Sequence, residues 1–429
     1  MSKATEIFEG LIANLKVDNS DTIGARRDEI TKALNKEFRS LEGSTGNRLM
    51  VGSYGRSTAI RGISDLDLLY VLPPSTRTDY EKEGGPSKVL KRTRQAIQNR
   101  YPTTSVTVDR LVVVVQFTNF MFEVQPVFEN EDSSFSYPDT YSNCWKTTKP
   151  REEMTAVSVE DTASYGNLRR LCKLTRAWRN KHGLGMGGLL VDTLAYNFIR
   201  KHPAHRLTAY SGYGEMVRDF FLYLSEEDDH EFYSAPGSRQ RVRVKKKFQR
   251  KAKKAYELCI EAIKAAGQNN EYKKWRAVFG KSVPDTSVVE EALTASAFSD
   301  TEEFIEDRFP VDIRYSVSID CTVIQDGFRP QSLRGLIASL SKLPPKKQLD
   351  FKIVASDVPE PYDVRWKVLN RGPVAEQRNE IRGQIIEANR GHHRREHTKF
   401  RGQHQVECYI LKNGVVVARD DIEVPITND

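Results

Sequence analysis

A glycine–serine turn followed by two acids inside an apolar run constrains this chain more than any other stretch. Arg48-Leu49-Met50-Val51 leads into Gly52-Ser53-Tyr54-Gly55-Arg56-Ser57-Thr58, and Asp65-Leu66-Asp67-Leu68-Leu69-Tyr70-Val71-Leu72 follows. A strand entering a tight turn suits the first part. Gly52 and Gly55 let the backbone turn and present N–H groups that can hold phosphate oxygens, and Ser53 adds a hydroxyl donor. A short helix is expected from Arg56 to Ala59, with its positive end toward the same anion. Period two then puts Asp65 and Asp67 on one face of a strand and Leu66 and Leu68 on the other. Two carboxylates on neighbouring same-face positions can bridge a pair of divalent cations. A lone Asp-x-Asp is more often a strand-edge or turn feature. Inside an apolar strand, however, it puts two carboxylates where Val or Ile would pack better.

The flanking pattern alternates helices and strands, an α+β arrangement. Residues 3–15 and 21–41 read as helices, with Ile23, Ile30, Leu34 and Phe38 on one face. Pro86 to Arg100 reads as a helix, and Ser105 to Phe117 and Met121 to Phe128 as strands joined through Thr118-Asn119-Phe120. In the second strand Glu123 and Gln125 share a face. Residues 130–165, rich in Ser, Tyr and Pro, read as a loop, within which packing is the expected role of Trp145. A helix follows from Tyr165, with Lys173 and Arg176 three residues apart on one face, and then a buried helix from Leu189 to Ile199.

The net charge of +8 has one source. Ten Lys or Arg and no acid fall between Arg239 and Lys254, and the rest of the chain is nearly neutral. This run is expected to open a helix continuing through Ala266. A solvated face is the usual fate of such a run; an anion-binding surface for nucleic acid or nucleotide product is the functional reading. With only Phe248 and Tyr256 interleaved, base stacking is poorly served. The five cysteines are scattered without a CxxC, which implies neither a zinc site nor a disulfide framework. No signal-peptide core and no run of membrane-spanning length occur, so a cytoplasmic protein without membrane association is expected.

Gly52-Ser53 with Thr58, followed by Asp65-Leu66-Asp67, resembles the signature of DNA-polymerase-β-like nucleotidyltransferases. More narrowly, residues 1 to about 285 resemble the bacterial CD-NTases, relatives of cyclic GMP–AMP synthase and oligoadenylate synthase. The resemblance implies a catalytic lobe over 1–165, a helical lobe over 166–285 and a linker over 286–304. It implies that Asp65, Asp67 and a third carboxylate hold two Mg²⁺, with Mn²⁺ as a possible substitute. Glu123 stands where the family usually has Asp. One extra methylene moves a carboxylate by more than about 1 Å, a distance that matters in catalysis. A solvated hairpin glutamate is the alternative, with Asp109 the substitute ligand. Nucleotide contacts are implied for Gly52, Ser53, Arg56, Thr58, Lys173 and Arg176; the order Lys then Arg departs from the family's usual second Lys.

From Phe309-Pro310 the pattern becomes strand-like: Ile313, Tyr315, Val317, Ile319, later Val364-Trp366-Val368 and Val406-Cys408-Ile410. A mostly-β module is expected over 305–429. Trp366 to Gly372, Arg382-Gly383, Glu396-His397-Thr398 and Gly402 to Tyr409 resemble the C-terminal sensor domain found fused to adenylyl/guanylyl-cyclase-like and CD-NTase proteins. Half of the eight histidines fall here, at 392, 393, 397 and 404. Without a cysteine pair to complete a tetrahedron, they point less to zinc than to a basic pocket of Arg382, Arg394, Arg395 and His404 for a nucleotide-like anion.

The resemblances together imply an enzyme that makes a cyclic di- or trinucleotide from NTPs, activating an effector protein in anti-phage defence. Two other classes remain: a nucleotidyltransferase acting on RNA or protein, which the basic run would serve, and a nucleotide-binding protein whose catalytic centre has decayed, which Glu123 permits.

Overall fold

The computed structural model describes residues 2–285, 302–324, 329–339, 343, 347–370, 373–388, 392–398 and 402–426. The expected linker lies outside these residues apart from 302–304. The chain divides into two compact units. One comprises 1–177 with 187–267; the other comprises 178–186 with 268–429.

The first unit begins with helices α1 (Lys3–Asn14) and α2 (Ser20–Arg39). The Ser2 hydroxyl caps α1 by accepting from the Thr5 N–H. Strand β1 (Arg48–Met50), the four-residue helix α3 (Gly52–Gly55) and β2 (Asp65–Val71) follow. Next come α4 (Arg77–Tyr80), α5 (Gly85–Arg100), β3 (Ser105–Asp109), β4 (Val112–Gln116) and β5 (Met121–Glu129). The sheet runs β1-β2-β5-β4-β3, with β6 (Phe135–Asp139) on β5 and β7 (Cys144–Thr148) on β6. Only the β2–β5 pairing is parallel within it. One face of this sheet is core: Leu66, Leu68, Phe122, Val124, Val113 and Val115 pack against Ile23, Ile30 and Leu34 of α2 and Val89 and Ile97 of α5. That leaves the alternate residues, including Asp65, Asp67 and Glu123, on the opposite face.

The same unit continues through α6 (Pro150–Ala163), α7 (Asn167–Lys181, in this unit through Ala177), α8 (Gly188–Lys201), α9 (Tyr213–Glu226), the hairpin β8 (Phe232–Ser234) and β9 (Arg241–Arg243), and α10 (Gln249–Lys264).

Four expectations need correction. The helix expected at Arg56–Ala59 forms earlier, at Gly52–Gly55, because Gly52 takes a φ of +62° that starts the turn there. Ser105–Phe117 is two strands rather than one, reversing at Arg110 with a φ of +22°. Residues 130–165 are not a loop: they form β6, β7 and α6, with Pro150 at the first helical turn and Glu152 and Glu153 beside it. The basic run does not open one helix; it spans β9 and a bend before α10 begins at Gln249.

The second unit is mostly β, as expected. Strands β10 (Val317–Ile324), β11 (Gln331–Ser332), β12 (Gln348–Ser356) and β15 (Arg394–His397) form one four-stranded sheet in the order β11-β10-β12-β15. Strands β13 (Asp363–Asn370), β14 (Arg382–Glu387), β16 (Gly402–Lys412) and β17 (Val415–Ile426) form the other, in the order β14-β13-β16-β17. Alternate residues of both sheets, among them Ile319, Phe351, Trp366 and Cys408, meet in one buried core. Residues 178–186 belong to this unit as well. Arg179 pairs with Asp312 at 2.9 Å, and the Asn180 amide both donates to the Val311 carbonyl and accepts from the Ile313 N–H.

Candidate active site

Period two along β2 leaves Asp65 and Asp67 half-buried while Leu66 and Leu68 are fully buried. The parallel register with β5 sets Asp67 directly opposite Glu123 and Asp65 opposite Met121. Glu123 is half-buried too. Three carboxylates thus share one face of two adjacent strands. Asp109 is exposed on β3, with β4 between it and β5. The register therefore favours Glu123 over Asp109 as the third member of the set.

The turn before β2 is built around Asp67. The Val51 N–H donates to the Asp67 carbonyl, which fixes α3 over the strand. A Cβ added to Gly52 would lie 1.8 Å from the Asp67 Oδ2. A Cβ there would have to displace that carboxylate, and the positive φ would strain it further. Ser53 is half-exposed beside it. Burial pushes the Asp67 carboxyl above its usual range, and the Arg56 charge works against that rise. A hard cation would meet the requirement of these oxygens for a counter-charge, and oxygen donors are what Mg²⁺ and Mn²⁺ take. The donor set fits such ions in kind. Among the described residues, however, no three acidic, His or Cys side chains already converge into a cage.

The remaining sequence candidates separate. Lys173 on α7 is half-buried, and burial, with Arg169 as a second cause, lowers its ammonium from the usual value. An anion beside it would reverse that shift. Arg56, Thr58 and Arg176, expected to contact nucleotide, turn instead onto one carboxylate that the sequence reading passed over. Arg56 Nε donates to Asp192 Oδ2 at 2.8 Å and Thr58 Oγ1 to the same oxygen at 2.9 Å; Arg176 donates to Oδ1 at 2.5 Å. All four side chains are buried. Arg56 also faces Glu153 at 3.4 Å, which Ser238 holds through a 3.0 Å hydrogen bond. Burial alone would raise the Asp192 carboxyl, yet Arg176 and Arg56 bring it down to about 2. The cluster ties the turn to α7 and α8. The signal was present: Asp192 is one acid in the apolar run Leu189-Leu190-Val191-Asp192-Thr193-Leu194.

The basic run is solvent-facing. Arg239, Arg241, Arg243, Lys245, Arg250 and Lys254 are all exposed. In the second unit, three of the four residues expected to form a basic pocket gather at one cavity, Arg382 and Arg394 on the same Glu396 carboxylate, and Arg395 stands apart. Arg382 and His404 line the cavity, and Arg395 is exposed.

Residues 1–160 match the family model of the Second Messenger Oligonucleotide or Dinucleotide Synthetase domain, and residues 299–427 that of the Adenylyl/Guanylyl and SMODS C-terminal sensor domain. Among solved structures, the apo form of Vibrio cholerae DncV matches at 12% identity over 66% of this chain and 96% of that chain, with a TM-score of 0.50. Escherichia coli MS115-1 CdnC with ATP matches at 15% identity over 66% of this chain and 99% of that chain, with a TM-score of 0.47. The DncV likeness establishes the fold. No curated protein matches the sequence.

Proposed function

Given that the chain is a SMODS-type CD-NTase, a nucleotidyltransferase joined to a C-terminal sensor domain, we propose that it converts NTPs into a cyclic di- or trinucleotide that activates an effector protein in anti-phage signalling in the bacterial cytoplasm. The observation that carries this reading is the register of Asp67 with Glu123, with Asp65 two residues away and Gly52 against Asp67. In each round a 3′-hydroxyl forms a bond to an α-phosphorus while the bond to the pyrophosphate oxygen breaks. Asp65, Asp67 and Glu123 would hold Mg²⁺, or Mn²⁺ in its place. When bound, such ions supply charge neutralisation at the triphosphate and a lower pKa for the attacking hydroxyl. The chain's own groups do the rest. Gly52 keeps the backbone close to Asp67, Ser53 offers a hydroxyl at the turn, and Lys173 offers its ammonium to the triphosphate. The Asp192 cluster holds the turn and α7 in place.

Incubation with four labelled NTPs and Mg²⁺ or Mn²⁺, followed by chromatographic and mass analysis, tests this. A cyclic product with pyrophosphate release is expected from the wild type and none from Asp67→Asn. No turnover of any NTP mixture would favour the decayed-enzyme reading. The exposed basic run supports a second reading, nucleotide addition to RNA. A strict requirement for added RNA, with binding that weakens steeply with salt, would select it.

A further inference from the structure

The second unit contains a cavity of about 300 Å³ between its two sheets. Leu349 and Phe351 face into it from β12, and Val368, Val406, Val424 and Ile426 from the other sheet. Stacked sheets lie about 10 Å apart, so space left in that layer is a slot with two apolar walls. Its volume is at the lower limit of ligand pockets, which suits a flat, compact molecule. The polar groups stand at one margin. Arg382 donates to Glu396 from Nη1 and Nη2, at 2.8 and 3.0 Å, and Arg394 Nε reaches the same carboxylate at 2.7 Å. Asn370 donates from Nδ2 to the Glu380 carbonyl at 2.7 Å, so its side-chain oxygen remains as an acceptor.

Charge decides which ligand fits. Among the described lining residues Glu380 and Glu396 stand with Arg382, His397 and His404, and Arg394 joins them through Glu396, so no large excess of positive charge awaits an anion. Burial alone would raise the Glu396 carboxyl, but Arg382 and Arg394 keep it below its ordinary value and hence ionised at neutral pH. Arg382 is already committed to a bidentate pair, the geometry in which a guanidinium would otherwise take phosphate. Bringing a phosphate here would bury it beside the ionised Glu396 carboxylate. A ligand with an apolar planar body and N–H donors would instead meet the slot walls and the carboxylate oxygens together.

We propose that this slot binds an uncharged, amino-bearing heterocycle of nucleobase or nucleoside size, and excludes phosphorylated forms. The assignment replaces the basic anion pocket expected from the sequence. It rests on the sensor reading above only in that occupancy of the slot is what would regulate synthesis.

Calorimetry on the full-length protein with adenosine, guanosine, cytidine, uridine and inorganic phosphate tests the assignment. Adenosine, guanosine or cytidine is expected to bind, uridine at least about tenfold more weakly because it lacks the exocyclic amine, and phosphate not to compete. Val406→Trp, which fills the slot, should weaken nucleoside binding more than tenfold. Glu396→Gln is isosteric and carries the test if the tryptophan variant unfolds. It should weaken nucleoside binding about tenfold and, by releasing Arg382 and Arg394, allow phosphate to bind. Failure of every nucleoside to bind at millimolar concentration would overturn the proposal. So would nucleoside binding that persists in both variants, or phosphate binding to the wild type. Nucleoside binding without any change in NTP turnover would leave the slot assigned and reject the regulatory reading. A cyclic product from NTPs while no nucleoside binds at millimolar concentration would overturn the slot and leave the synthase reading standing.

Discussion

Replacing Asp67 by Asn removes a carboxylate that its surroundings make costly to ionise. Its carboxyl titrates above the unfolded value, so between those two pH values the folded chain holds the extra proton. Stability is therefore lost as pH rises through the folded value. Asp67→Asn should melt at a higher temperature than the wild type in metal-free buffer at pH 7, with the gain shrinking toward pH 4. NTP turnover in Asp67→Asn and Asp65→Asn should fall by more than about a hundredfold, beyond the 10–100-fold typical of losing an outer-shell partner. Wild-type-like turnover in either variant would remove these residues from the site. Glu123→Gln should lose turnover by about a hundredfold while Asp109→Asn keeps it, measured as pyrophosphate release; the reverse result would transfer the role to Asp109. The two aspartates were legible in sequence because strand period two alone places them on one face. The partner of Glu123 was not, because a parallel register between residues 67 and 123 is set by sheet assembly and leaves no local mark.

Among the elements, the turn Gly52–Gly55 and helix α8 depend on each other through Asp192. Its carboxyl titrates at about 2 in the folded chain and near 4 in an unfolded one. The stability that this shift contributes is present above pH 4 and is lost as pH falls toward 2. Asp192→Asn leaves Arg56 and Arg176 buried beside a neutral amide, and should cost about 3–5 kcal/mol in a denaturant titration. A cost near zero would mean that the arginines find solvent. Gly52→Ala should keep the fold, since α3 is short and near the surface, yet reduce turnover by about a hundredfold by displacing the Asp67 carboxylate. The sequence made the turn visible, but it gave no sign that Arg56, Thr58 and Arg176 meet on Asp192. A basic residue near a phosphate turn, such as Arg56, reads the same whether it faces ligand or a buried acid 136 positions away. The Ser- and Pro-rich stretch that becomes β6, β7 and α6 was hidden for a similar reason: its strand pairing and packing, not its composition, decide it.

Over the whole molecule, α7 is the element that both units claim. Lys173 and Arg176 lie in its part of the first unit, while Trp178–Met186 count with the second. Asp312→Asn should leave the buried Arg179 underpaired, lower the melting temperature and change the basal rate of NTP turnover; an unchanged rate would mean that the last turn of α7 carries no information to Lys173. The two-module organisation was readable from the change to alternating hydrophobicity near residue 310. The ownership of residues 178–186 was not, because Asn180 and Arg179 meet their partners about 130 positions later. This ownership has a consequence for how such chains can be recombined. A crossover placed at the apparent boundary near residue 285 would graft a foreign C-terminal module onto nine residues shaped for the native one. Chimaeras that carry 178–186 along with their own 268–429 should fold and melt cooperatively, whereas those cut only at 285 should express poorly. Shuffling of sensors among synthases therefore has a two-segment unit of inheritance, and drift in a short helical stretch far upstream has to keep pace with any exchange downstream.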